Sequence, residues 1–294
     1  MSVPIGAWLT VKELQFCEET SFGVLPNSPS FTPVGYEPRV KFNIDPGMVA
    51  IPKPGSEDVQ TVQAGAVREN TWEVVYQPTD LTFAKYGVNS QGLGPGSIDK
   101  SFTLLMSVML NAATETWLIL QGARPDTTII NGRAGGPLQI RMIGKAQTFP
   151  IPVQADPGYA YATSSTAQPI KLEDGGVNPF SVGLVHLDLF EISVEVRRNL
   201  SIIPQPGSNT PQTIQPQNRQ ITGTFSALWE RLDLMASLQD LSTQNMLWEI
   251  QASLGTELDL TLSKLTKMNS LSFSNGEPAI MENYAFQATA ANLG

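Results

Sequence analysis

Alternation of apolar and polar residues marks most of this chain as β-structure. In RVKFNID (39–45), Val40, Phe42 and Ile44 fall on one side and Lys41, Asn43 and Asp45 on the other, the two-residue period of a strand with one packed and one wet face. FEISVEVR (190–197) repeats the arrangement, with Ile192, Val194 and Val196 set against Ser193, Glu195 and Arg197. PLQIRMIGK (137–145) alternates in the same way, and VRENTWEVVY (67–76), ETWLILQ (115–121), RQITGTFSAL (219–228) and ELDLTLS (257–263) read as further strands. Two short segments, DLTFAKYG (80–87) and ERLDLMASLQDL (230–241), are the candidates for helix. AWLTVKELQF near the N-terminus is strand-like and is followed by a polar, Pro-rich run to Gly35.

The pattern occurs twice. GSEDVQTVQ (55–63) and GSNTPQTIQ (207–215) match at Gly55/Gly207, Ser56/Ser208, Gln60/Gln212, Thr61/Thr213 and Gln63/Gln215, each pair 152 positions apart. Each copy sits between a strand and a return strand, so residues 46–66 and 203–218 are expected to be long hairpin connections, far beyond the usual ~2–5 residues. Further on, Asn131-Gly132 corresponds to Asn275-Gly276 as a turn, with the Gly-rich NSQGLGPGS (89–97) absorbing the change of spacing. The chain therefore divides into a first β-unit with an N-terminal arm (1–150), a Pro/Gly/Ser/Thr/Ala-rich linker expected on the surface (151–182) and a second β-unit (183–294). A mainly β fold is expected, with two tandem sandwich or barrel units, each holding one short helix and a long hairpin loop.

Composition narrows the chemistry. Charged residues make up 15 %, below the ~25 % of average soluble domains. The net charge of −9 speaks against a protein that grips nucleic acid but not against a channel through which nucleic acid slides. One Cys excludes an internal disulfide. The opening MSVPIGAWLTVKEL lacks the charged and apolar regions of a signal peptide, and no apolar run is long enough for a membrane helix, so no membrane insertion is expected. His186 on a β-like stretch is the sole histidine, and Cys17 lies beside two carboxylates that disfavour its thiolate. GLGPGS (92–97) lacks the Lys-Ser/Thr ending of a phosphate loop. Glu173/Asp174 and Glu191/Glu195 are carboxylate pairs, the latter roughly 13 Å apart along a strand at ~3.3 Å per residue, wide for a glycosidase. No catalytic, metal or cofactor site is expected.

Sheets with one wet face leave edges, and little charge favours ordered edge pairing between chains. A monomeric two-domain β-sandwich binder is the other outcome of the same pattern. CEETSFGVLP (17–26), GARPDTTIINGRAGGPLQIRMIGK (122–145), FEISVEVRRNL with IQPQNRQITGTFSA (214–227), and IMENYAFQATA (280–290) together resemble the tail tube proteins of long-tailed bacteriophages, the larger two-unit kind of about 300 residues. Arg124 stands where that family commonly has Lys, on what is expected to be a surface strand.

The resemblance implies a structural virion protein, assembled in the host cytoplasm. Six β-units would close into a ring, stacked rings would form a tube around the tape-measure protein, and the tube would later pass double-stranded DNA. Two units per chain favour a trimeric, pseudo-hexameric ring over a hexamer. The lumen is expected to be lined by Lys41, Asn43, Asp45, Ser193, Glu195 and Arg197 with a net negative potential. Contacts between rings are expected from Gln60, Thr61, Gln63, Gln212, Thr213 and Gln215 on loops mobile in the free chain. Tail-tip and tail-terminator proteins are the implied partners at the ends. A receptor- or carbohydrate-binding tail-tip protein, a related injection-system tube, and a hydrolase of unrecognised type remain alternatives.

Overall fold

The computed structural model describes residues 8–45, 48–52, 59–64, 68–89, 100–111, 114–153, 159–161, 167–175, 179–183, 185–208, 210–228, 242–251, 255–272 and 281–294. They form a mainly β protein in which the alternating segments are strands. The first half contains β1 (Trp8–Thr10), β2 (Glu13–Glu18), β3 (Ser30–Pro33), β4 (Tyr36–Asp45), β5 (Met48–Pro52), β6 (Val59–Ala64), β7 (Glu69–Gln77), α1 (Thr82–Val88), β8 (Phe102–Asn111), β9 (Thr114–Arg133), β10 (Gln139–Ala146), β11 (Ile151–Val153) and β12 (Ala160–Tyr161). The second contains β13 (Phe180–Val182), β14 (Val185–Leu187), β15 (Leu189–Arg197), β16 (Ser201–Pro204), β17 (Pro211–Gln215), β18 (Gln220–Leu228), β19 (Gln244–Gln251), β20 (Thr256–Ser272), β21 (Met281–Ala288) and β22 (Ala290–Leu293). The helix expected over 230–241, the Gly-rich loop after Asn89 and the Asn275-Gly276 turn lie outside the described residues.

The pairings follow a simple rule. In the first half β2 pairs with β3 and β8, β4 with β7, β5 with β6, β7 with β10, and β9 with β8, β10 and β11. Raising each strand number by eleven gives the pairings of the second half, β13 with β14 and β19 through to β20 with β19, β21 and β22. Among the described residues β15 against β9 is the strand pairing that joins the halves, and β1–β4 and the parallel β3–β12 have no counterpart in the second half. The result is a long antiparallel sheet in the order β4-β7-β10-β9-β15-β18-β21-β20, with β1 outside β4.

β9 and β20 are long because each serves two sheets. Residues 127–133 of β9 lie in the long sheet, whereas 114–120 pair with β8. β20 divides in the same way between β21 and β19. The smaller sheets cover one face of the long sheet. Phe16 and Phe102 pack on Phe83 of α1, and Phe102 lies 5.7 Å from Trp72 of β7, ring centre to ring centre. In the second half Phe180 of β13 lies 4.8 Å from Phe225 of β18. The opposite face of the long sheet stays wet, as the period of two requires. The 151–182 segment, expected to run over the surface, supplies β11, β12 and β13 and sends Ile170, Leu172, Phe180 and Val182 into the core.

One cross-strand position shows how tight the packing is. Trp72 faces Gly144, and in the equivalent place Gly223 faces Phe286, so each pair joins a large aromatic to a glycine in opposite order. A Cβ at Gly144 would stand 2.4 Å from the Trp72 ring and 2.1 Å from the Arg124 carbonyl. The ring covers the glycine backbone, a known device for steadying strand glycines. Gly144→Ala should therefore destabilise the fold by about 2–3 kcal/mol through overpacking, measured by denaturant unfolding. A loss under ~0.5 kcal/mol would show that the ring and the Arg124 backbone both give way freely.

Candidate assembly surfaces

Lys41, Asn43, Asp45, Ser193, Glu195 and Arg197 all project from the wet face of the long sheet, because each alternates with a core-facing neighbour. β7, β10, β18 and β21 extend the same face. Arg141 Nε donates to Glu73 at 2.5 Å, Arg197 Nε to Glu195 at 2.5 Å, and Lys145 Nζ stands 2.6 Å from Glu69. A negative face was expected, and its composition is otherwise. Among the described residues Arg39, Lys41, Arg133, Arg141, Lys145, Arg197, Lys264 and Lys267 outnumber Asp45, Glu69, Glu73, Glu191 and Glu195. The chain's −9 is carried elsewhere, since side chains that pair across strands set the charge of a face independently of the chain average.

The two long connections are hairpins in their own right, not open loops. β5 pairs with β6, where Thr61 faces Ile51 and Gln63 faces Val49; Gln60 is on the same strand. β16 pairs with β17, where Thr213 faces Ile203 and Gln215 faces Ser201, with Gln212 beside them. Both hairpins were expected to be mobile, yet the second is fastened to the first half. Ile214 is fully buried, and its carbonyl accepts a hydrogen bond from Arg124 Nη1. Gln147 Nε2 donates to the Pro211 carbonyl at 3.4 Å. The turn at Gln205, Pro206 and Gly207 remains exposed.

Arg124 is thus not on a surface strand; it is 6 % exposed. The Phe22 ring lies 5.1 Å from its guanidinium, a cation–π contact that suits a planar, weakly hydrated cation. Phe22 belongs to the EETSFG segment, whose other residues explain how it is held. The buried Glu19 carboxylate accepts from Gly23 N (2.7 Å), Gly122 N (2.7 Å), Thr103 Oγ1 (2.7 Å) and Ser101 Oγ (2.5 Å). Gly23 takes φ +75°, a conformation open to glycine. Glu18, pointing the other way, meets Tyr86 Oη and Lys100 Nζ, both at 2.6 Å. The segment is a brace beneath the foot of the second hairpin.

At the seam between halves, the C-terminus of α1 is capped from the second half. Arg219 Nη2 donates to the carbonyls of Val88 and Ala291, and Arg198 Nη2 to that of Asn89. The Asn89 side chain pairs with the Leu293 backbone in both directions, at 2.6 and 3.0 Å. Cations satisfy the orphan carbonyls and oppose the negative end of the helix dipole. Burial pulls the Arg219 pKa down to about 10, so it stays charged at neutral pH.

The candidates for chemistry are dispersed. Cys17 is buried in β2, and burial together with Glu19 and Glu18 raises its thiol pKa against a lowering bond from the Ser30 backbone. His186 is exposed on β14. Glu195 is engaged by Arg197, while Glu173 accepts from the Gly135 amide and Asp174 from the Lys171 amide, fastening loops. Among the described residues no cluster of His, Cys, Asp and Glu is arranged to hold a metal ion, and no helix is long and apolar enough to cross a membrane. The family model described as phage tail tube protein matches residues 11–288. Comparison with curated proteins gives no match.

Proposed function

The chain belongs to the phage tail tube protein family and is a structural component of a virion tail, and from that premise we propose that three copies close into a ring of six similar β-units. The repeat of the antiparallel pairings among β2 to β11 after a shift of eleven carries this reading. If the halves are copies of one unit, the β9–β15 seam is a unit-to-unit contact already made once within the chain. Repeating it from β20 of one chain to β4 of the next continues the sheet, and closure removes both edges. The sheet would then enclose the lumen with its wet face inward, since the smaller sheets cover the other face.

Lys41, Asn43, Asp45, Ser193, Glu195 and Arg197 line the lumen in this arrangement. Paired charges such as Arg141–Glu73 and Arg197–Glu195 leave a weak field beyond a Debye length of ~8 Å. Double-stranded DNA and, before it, the tape-measure protein pass this surface, whose excess of cations is partly offset by those ion pairs. Stacked rings form the tube, with the hairpins β5–β6 and β16–β17 between rings and tip and terminator proteins at the ends. Native mass spectrometry with negative-stain microscopy of the purified chain tests the stoichiometry. Rings of three chains are expected, and rings of six would overturn the two-unit arrangement.

A further inference from the structure

The long sheet has two ends, and they differ. Among the described residues no strand pairs with the second edge of 264–272 in β20. The corresponding edge of β4 carries β1, with Trp8 opposite Lys41, Leu9 opposite Val40 and Thr10 opposite Arg39. The seam within the chain shows what such an edge is built to meet. There β15, the counterpart of β4, presents seven consecutive residues, Glu191 to Arg197, to β9, the counterpart of β20.

That register transfers directly. In the seam Arg197 faces Thr127. Arg197 corresponds to Asp45 through the 152-residue spacing. Thr127 corresponds to Lys267, because they face Ile143 and Ala285, the residues just before Gly144 and Phe286 of the two aromatic–glycine pairs. Asp45 of one copy and Lys267 of the next would thus stand directly opposite, and both are exposed with opposite charges. The surroundings agree with an edge awaiting cover. Ile44 is half-buried where its counterpart Val196 is 1 % exposed, and Arg68 is exposed where Arg219 is drawn onto a helix end.

Residues 39–41 have one edge besides that taken by β7, and β1 occupies it. Pairing with β1 and pairing with an incoming β20 would use the same backbone groups. Building on the ring arrangement above, we propose that β1 is a displaceable guard strand: a second copy of this chain lays its β20 along residues 39–45 and expels β1. The seam within the chain holds seven residue pairs, whereas β1 makes three. Covering an edge with a short strand is a way for β-proteins to prevent unscheduled pairing, and here the cover is short enough to be replaced by the intended partner.

A redox lock tests this on the full chain. Thr10→Cys with Arg39→Cys, in a Cys17→Ala background, places two thiols at directly opposed strand positions within disulfide reach. The oxidised protein should remain unassembled, with elongation slowed at least tenfold, and reduction should restore assembly, which also shows that the variant folds. Elongation at equal rates in both states would overturn displacement while leaving the ring intact. In a separate variant, Asp45→Cys with Lys267→Cys should cross-link neighbouring chains within rings; rings that resist this cross-link would overturn the register and the proposal with it. Wild-type chain that forms no rings at all would overturn the ring assembly itself.

Discussion

Glu19→Ala should lower the stability of the chain by about 3–5 kcal/mol, the magnitude seen when one partner of a buried charged network is removed. Two backbone amides and two hydroxyls converge on this carboxylate, from Gly23, Gly122, Ser101 and Thr103. Truncation leaves those donors facing a small cavity, and each unsatisfied buried donor costs ~1–3 kcal/mol, reduced where a water enters. Glu18→Ala is the control. Its side chain is 39 % exposed and paired with Lys100, so about 1 kcal/mol or less is expected. Equilibrium unfolding in urea reads both. Equal costs at the two positions would show that the Glu19 network does not anchor the fold. The damage should also reach the second hairpin, since Gly122 and Phe22 flank the Arg124 contact with Ile214.

What was legible in the sequence was local. Alternation placed Lys41, Asn43, Asp45, Ser193, Glu195 and Arg197 on a wet face because a strand has a fixed period of two. The matched segments at 55–63 and 207–215 located the two inner hairpins, yet their Pro, Gly and Gln content disguised β5, β6, β16 and β17 as open loop. The EETSFG segment stood out by resemblance alone. Its physical reason needs Ser101, Thr103 and Gly122, which are about a hundred positions or less away in sequence but meet only in the fold. Arg124 gave no local sign of burial, because its partner is the Ile214 carbonyl in the other half. Asn89, Arg198 and Arg219 looked like ordinary polar residues for the same reason. The basic excess of the wet face was not legible, because the chain's net charge says nothing about which face of a sheet each charge occupies.

Replacing residues 205–210 by a short Gly-Ser turn should leave a folded chain that forms rings but stacks into tubes at least tenfold less. The exposed turn of the second hairpin, Gln205–Gly207, is held out by β16 and β17, whose foot is fixed by Arg124 and Gln147. Residues 205–210, QPGSNT, carry no charge, so contact with another ring would strip water from no ion, a cost of several kcal/mol when charges are buried. Pro206 limits the conformations lost on contact, an effect worth ~0.4–1 kcal/mol in comparable positions. The replacement ends before Pro211, because removing Ile214 would bare the Arg124 guanidinium and confuse stacking with folding. Sedimentation separates rings from tubes, and microscopy identifies each. Tubes of normal length and yield from the variant would show that the turn is only a tolerated insertion and that rings stack through other surfaces. Loss of rings as well as tubes would place the turn at the lateral seam instead, where the foot of the same hairpin already lies against the first half of the chain.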